Sequence, residues 1–395
     1  MSKNYSGMFS FANDDMVYLM LQMSKERHTE EEKATLINLF EKVEQERFIE
    51  LCKEHQFEGI VAAFLKKCGY EMNDIWQGIY DSCYRYAKEK LDATKVICEK
   101  MHENGIEMIA LKNGGILADI IDDPAKMPMG DVDSLVKKSD FLKSYEVMTE
   151  LGFRFEYCNE YEIPDINNAY RDGDAEYMKS LNDSHELIYE VAWRVVAGRW
   201  MRPDCEPDTE ENFDRSHYAK DSFIRVLSPE DNLLQVCIHT AKHSYLRAPG
   251  LRLNLDVERI VSNCEINWSL FLEKVKKAHT KTAAYYSLYI PVVLFGTPVP
   301  QNVLDELRPS KSKQNKIEKM LSEAGFLHPK ERKFSRVSFL LFQTALYDGT
   351  SDMWHTLYPN SKWLKARYNF SNSLMIPYYI FLRALDLVGI RKKQK

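Results

Sequence analysis

Two aspartates separated by a single residue, Asp131-Val132-Asp133, carry the clearest chemical signal in the chain. In a strand, alternate side chains share a face, so the two carboxylates stand side by side, about 7 Å apart along the chain. Like charges at that spacing repel unless a cation lies between them, and magnesium, a hard ion that takes oxygen ligands, is the usual one. Upstream, Lys112-Asn113-Gly114-Gly115 marks a passage from strand to helix. Glycines there let backbone amides approach an oxyanion, the helix N-terminus adds positive potential, and Lys112 adds a point charge. A phosphate turn followed by paired carboxylates is the order that metal-dependent nucleotidyl transfer requires. The bland alternatives are an aspartate pair in a turn, a solvated lysine, and glycines that relieve crowding where helix meets strand.

These side chains need elements to hold them. Residues 106–111 form an apolar run of strand length, 113–121 read as a helix, and 131–136 alternate like a strand. A capped helix over 139–152 follows, then strand candidates at 153–158 and 185–193, with 159–184 between them read as a polar stretch. The order β-α-β-α-β-β describes a compact α/β unit. Residues 14–103 show helical periodicity, with a Thr29/Glu32 capping box and Gly105 closing a long helix. The helical pattern returns at Ser228-Pro229-Glu230-Asp231, where a proline in the first turn and two acids suit a helix start. The expected fold class is α+β, a small mixed sheet domain over 105–226 flanked by helical domains over 1–104 and 227–395.

The glycine turn followed by a D-x-D strand resembles the DNA polymerase β-like nucleotidyltransferase superfamily. Within it LKNGG, PMGDVDSLV, IYEVAW, SPEDNLLQVCIHTAKH and LYPNSKWLKARY are similar to a bacterial group described simply as nucleotidyltransferase family proteins, over roughly 105–370. The resemblance implies that Asp131 and Asp133 are metal ligands and that Glu190 is the third acid. It implies two magnesium ions and in-line attack of an acceptor hydroxyl on the α-phosphate of an NTP such as ATP, releasing pyrophosphate. The acceptor is expected among small molecules, protein hydroxyls and RNA ends. Lys112, Asn113, Gly114 and Gly115 would face the nucleotide, with Lys242, Arg247 and Arg252 reaching across from the helical domain. Four positions depart from the group: Asn113 and Met127 stand where glycine and arginine are usual, Ser134 where leucine is, and Ala192 where histidine is. They support an alternative, a catalytically weakened nucleotidyltransferase fold that serves as a nucleotide- or partner-binding module.

His239 and His243 lie four apart, a spacing compatible with zinc, but no third ligand accompanies them and a structural pair is expected. The net charge of −6 is unevenly spread, −5 over 1–105, −10 over 106–300 and +9 over 301–395. The basic end attracts phosphate or the acidic middle, or is a helical surface of solvated lysines. Eight scattered cysteines without a C-x-x-C pair read as reduced thiols in the cytoplasm. No signal peptide or membrane span is expected. The apolar tail from Ser373, ending in a basic cluster, is expected to dock on the protein's own C-terminal helices rather than on a membrane.

Overall fold

The computed structural model describes residues 4–156, 165–182, 185–196, 200–358 and 361–388. Five helices come first: α1 (Asp15–Met23), α2 (Glu30–Phe40), α3 (Gln45–His55), α4 (Glu58–Lys67) and α5 (Asp74–Glu103). The Thr29 hydroxyl accepts from the Glu32 amide while the Glu32 carboxylate accepts from the Thr29 amide, completing the capping box that starts α2. The longest, α5, begins where the Asn73 side chain accepts from the Trp76 amide and stops before Gly105, whose φ of 71° suits glycine alone. Its buried stripe of Ala87, Lys90, Thr94, Ile97, Cys98 and Met101 recurs every three or four residues and lies against the sheet domain.

The sheet that follows has seven strands among the described residues: β1 (Met108–Ala110), β2 (Val132–Val136), β3 (Arg154–Glu156), β4 (Asp174–Asn182), β5 (His185–Ala192), β6 (His217–Tyr218) and β7 (Arg225–Val226). Their order is β3-β4-β5-β2-β1-β7-β6; β2 runs parallel to β5 and β1 parallel to β7, and the other neighbours are antiparallel. Helices α6 (Lys112–Asp119), α7 (Phe141–Glu150), α8 (Ile166–Asp172) and α9 (Thr209–Arg215) connect them. This is the mixed sheet flanked by helices that an α+β assignment requires. The sequence pattern missed β4 and α8, which both lie in the stretch read as polar. Asp174, Glu176 and Ser180 alternate there with buried Ala175 and Tyr177, a two-residue period masked by the high polar content.

The two faces of the sheet meet different cores. Val132, Tyr177, Tyr189 and Val191 pack with Phe141, Val147 and Met148 of α7 and with the end of α5. Ile109 and Leu135, on the other face, join one continuous core with the N-terminal helices and with α10 (Pro229–Lys242), α11 (Arg252–Asn263) and the helices beyond. The amino- and carboxy-terminal helical parts therefore share one apolar core on that face of the sheet. The helix Ile376–Val388 packs on Ser361–Tyr368 and Arg336–Leu346. Arg383 stacks over Trp363, and the Tyr368 hydroxyl donates to Asp386 at 2.6 Å. The tail thus docks on its own C-terminal helices, while its final basic cluster, residues 391–395, lies outside the described residues. No helix among the described residues is long and apolar enough to cross a membrane. Cys52, Cys68, Cys83, Cys98, Cys205, Cys237 and Cys264 are free thiols; Cys158 lies outside the described residues.

Candidate active site

The approach to the site is set by how β1 gives way to α6. Leu111 continues the β1–β2 ladder by donating to the Asp133 carbonyl at 2.9 Å. The chain then turns sharply, and Lys112 takes a φ of 49°, a left-handed conformation costly for a residue with a Cβ. Its amide reaches the Gln235 side chain of α10 at 3.4 Å. The Gly114 and Gly115 amides both turn back to the Leu111 carbonyl, at 3.1 and 3.3 Å. A Cβ on Gly115 would come within 2.6 Å of the Ala110 carbonyl oxygen, and one on Gly114 would meet Val132 at 3.4 Å. The glycines thus bring α6 down onto β1, which leaves Lys112 standing over β2.

Asp131 is held differently, by a buried lysine that the sequence pattern did not single out. Lys90 reaches from α5 to donate to the carbonyls of Met129, at 2.7 Å, and Gly130. Burial lowers its pKa to about 8, with the charge of Asp131 acting against the fall. The available signal was a lysine inside the apolar stripe of α5.

Parallel pairing of β2 with β5 sets Asp133 directly beside Glu190. Asp131, Asp133 and Glu190 each offer a carboxylate oxygen within 4.8 Å of the others, with Asp131 exposed, Asp133 buried and Glu190 between. Burial, then the charge of Asp133, pushes Glu190 up to about 8, against the pull of Lys112. Asp133 is raised too, by burial, with Lys112 opposing. The Lys112 ammonium is ion-paired with Asp133. Burial works against its charge, but Asp133, Glu190 and Asp131 outweigh that effect and hold its pKa above the ordinary lysine value.

The acids do not stop at Glu190. Strand register puts Glu176 of β4 beside Glu190, and Glu156 of β3 beside Glu176, so four carboxylates form one row across four strands. Glu156 is paired with Arg154 at 2.6 Å. Asp174, opposite Ala192, has its pKa raised by burial and by Asp172. Sequence reading did not find Asp174 or Glu176, because they lie on the strand it took for a loop.

On the facing helices, Lys242 is within electrostatic reach of Glu190, Asp133 and Asp174, its pKa lowered by burial and by Lys112. Arg252 donates to the Asn113 side chain at 3.2 Å and lies 3.7 Å from Asp256. The His239 and His243 rings meet at 4.7 Å. Burial, then Lys112, lowers His239 well below its ordinary value; burial, then Arg247, lowers His243 to about 4. Both are neutral at physiological pH.

The departing positions have structural roles. Met127 is fully buried, and its neighbour Lys126 is paired with Glu26 at 2.6 Å. The Ser134 hydroxyl donates to the Glu190 carbonyl at 2.9 Å, tying β2 to the strand that bears the third acid. Ala192 is buried opposite Asp174. A second cluster of ligand-type groups, Cys205, His279 and Asp352, lies apart from these acids, but His279 and Arg202 already contact the Asp352 carboxylate at 3.3 and 3.6 Å.

A helix-flanked mixed sheet whose central parallel strands bring a D-x-D pair beside a further acid has the layout of a nucleotidyltransferase. The family model described as an uncharacterised nucleotidyltransferase matches residues 41–296, and the chain belongs to that family. No curated protein matches it.

Proposed function

We propose that this protein transfers an NMP from an NTP to a hydroxyl of an acceptor, in a metal-dependent reaction. The observation that carries the reading is the meeting of Asp131, Asp133 and Glu190 oxygens within 4.8 Å. Their chemistry fits magnesium. All three donors are hard oxygens, and ligands about 2.1 Å from a magnesium ion stand at most about 4.2 Å apart, within a small rotamer adjustment of the spacing here. The upward shifts of Asp133 and Glu190 mark a site in which burial first, and then neighbouring carboxylates, leave negative charge without enough compensation. Magnesium, with two ions expected, would be held by Asp131, Asp133 and Glu190 and would supply positive charge at the phosphates and acidify the attacking hydroxyl.

The chain's own groups do the rest. Asp131 and Asp133 would hold the cation at a fixed place on β2. Lys112 moves from Asp133 onto the phosphates, and Lys242 adds positive charge from α10. Asn113, steadied by Arg252, borders the nucleotide together with Gly114 and Gly115, whose small size keeps α6 close. Glu190, whose pKa of about 8 leaves it largely protonated at neutral pH without metal, would be ionised by a bound cation, and only that carboxylate form accepts the hydroxyl proton. In this reading 105–226 form the catalytic domain, with 1–104 and 227–395 as helical flanks, and the protein works in the cytoplasm on soluble NTPs.

The test is pyrophosphate release or transfer of labelled NMP with magnesium and each NTP. Asp131→Asn or Asp133→Asn should lower the rate by about a thousandfold or more, as loss of preorganised charge at a reacting phosphate does. Unchanged turnover in either variant refutes the assignment. The Lys112–Asp133 ion pair and the alanine at 192 favour one second reading, a binding module without turnover. That reading predicts an NTP-dependent rise in melting temperature with the NTP left intact.

A further inference from the structure

Where α10 ends, an open pocket of about 460 Å³ lies between His243, Arg247 and Ala248 and the segment 329–339. Its volume falls in the range of small-molecule sites, about 300–1,000 Å³. Five cations wall it, Arg247, Lys330, Arg332, Lys333 and Arg336, against one acid, Glu331. Lys333 and Arg332 spend hydrogen bonds on nearby carbonyls, of Leu327 and Phe334. Arg247, Lys330 and Arg336 are exposed and make no side-chain hydrogen bond or ion pair with any described residue. Arg247 instead stacks on Phe339, 5.7 Å from the ring centre, which gives the pocket an apolar wall. Protein surfaces normally intersperse acids among their cations, so an uncompensated set around a concavity is suited to an anion, which guanidinium groups grip by paired, charge-assisted bonds.

The inner wall of the pocket is His243, whose buried Nδ1 has no hydrogen-bond partner. His243 touches His239, and both feel the charge of Lys112, the partner of Asp133. The pocket is therefore separated by two neutral imidazoles from the field of Lys112, the partner of Asp133. Lys330, Arg332, Lys333 and Arg336 also lie beyond the segment that matches the family, residues 41–296. A feature outside the shared segment suits the acceptor, which varies, better than the nucleotide, whose chemistry the shared segment serves.

We propose that this pocket binds a phosphate group carried by the acceptor, so that the substrate is a phosphate-bearing alcohol whose hydroxyl reaches the carboxylates past His243 and His239. The word acceptor rests on the nucleotidyl-transfer reading; phosphate binding by the pocket does not.

Two arms test it. In thermal unfolding, inorganic phosphate compared with sodium chloride at equal ionic strength should raise the melting temperature of the wild-type protein and of D131N/D133N alike. It should do so far less for R247E/R336E, whose melting temperature in chloride should match the wild type because both sites are exposed. An equal phosphate response in R247E/R336E overturns the proposal. In the second arm, labelled NTP and cell extract are combined with each protein. R247E/R336E should need about tenfold more extract for half-maximal labelling while its NTP-induced thermal shift stays intact, and phosphatase treatment of the extract should abolish labelling. Labelling that survives phosphatase, or loss of the NTP shift in R247E/R336E, overturns the acceptor assignment. Ribonuclease-sensitive labelling identifies the phosphate as that of RNA, and labelling confined to the low-molecular-weight filtrate identifies a small phosphorylated compound. If the wild-type protein labels nothing, the transferase reading fails, and the first arm still decides whether the pocket takes phosphate.

Discussion

Replacing Glu190 with glutamine isolates the electrostatic strain of the site. In the folded protein the carboxyl titrates at about 8, against an ordinary value of 4.5, because burial and the neighbouring Asp133 disfavour its charge. The folded state therefore holds a proton that the unfolded chain has released, and stability present below pH 4.5 is lost as the pH rises through 8. At about 1.4 kcal/mol per unit, the shift sets a ceiling of just under 5 kcal/mol at high pH. Solvent at this partly exposed group and charge sharing with Asp133 and Lys112 reduce the realised loss to about 2 kcal/mol. Glutamine keeps the shape and cannot ionise. Melting curves of both proteins at pH 5.5 and 8.5, in chelator and in magnesium, measure the effect, and the difference between the two proteins cancels the titrating groups that do not interact with Glu190. In chelator, E190Q should be the more stable protein at pH 8.5, and the two should be closer at pH 5.5. Magnesium should restore the wild type at pH 8.5 by binding the folded state and do little for E190Q. If E190Q is the less stable protein at pH 8.5 without metal, the carboxylates are not strained and the argument from crowding fails.

The packing around the site makes further predictions. Gly115→Ala puts a Cβ 2.6 Å from the Ala110 carbonyl oxygen and should cost about 1–3 kcal/mol in urea unfolding. Gly130→Ala, with nothing within 4 Å, should stay within about 0.5 kcal/mol; equal effects would contradict the close approach of α6 to β1. Lys90→Met removes the donor to the Met129 and Gly130 carbonyls and should weaken terbium binding about tenfold, measured by sensitised luminescence. Unchanged terbium affinity in a folded K90M protein would show that Lys90 does not position Asp131.

The legible parts of the fold were those in which one local rule acts alone. Helix periodicity with caps marked α2, α5 and α10, and a strand-like alternation marked β2. The acid pair, the glycines and Lys112 were visible because residue type and spacing carry their chemistry. Strand β4 was not, since Asp174, Glu176, Lys179 and Ser180 make it look like a loop until β5 pairs along one edge and β3 along the other. Lys90 was hidden for the opposite reason: the long helix was plain, but a buried lysine acquires its purpose only from carbonyls about 40 residues away, at Met129 and Gly130. The basic pocket joins Arg247 to residues 330–336 through tertiary contact alone, so sequence grouped Arg247 with Lys242 and Arg252 and otherwise reported an excess of positive charge near the end of the chain.

The row of acids and the aromatic core are two sides of one register. Along β2, β5, β4 and β3, Asp133, Glu190, Glu176 and Glu156 line one face, and the adjacent row of Val132, Tyr189, Tyr177 and Phe155 lines the other. Those rings pack edge to face, Phe155 with Tyr177 at 5.9 Å and Tyr189 with Phe153 at 6.3 Å, against the α7 side of the sheet. A slip of one residue between any two strands would bring carboxylates into that core and rings into the site. Burying a tyrosine contributes a few kcal/mol, and burying an unpaired carboxylate costs more than that. The register that aligns Asp133 with Glu190 is therefore enforced by the apolar face behind it, and the repulsion among the acids, which on its own would push the strands apart, is borne by side chains that take no part in the chemistry.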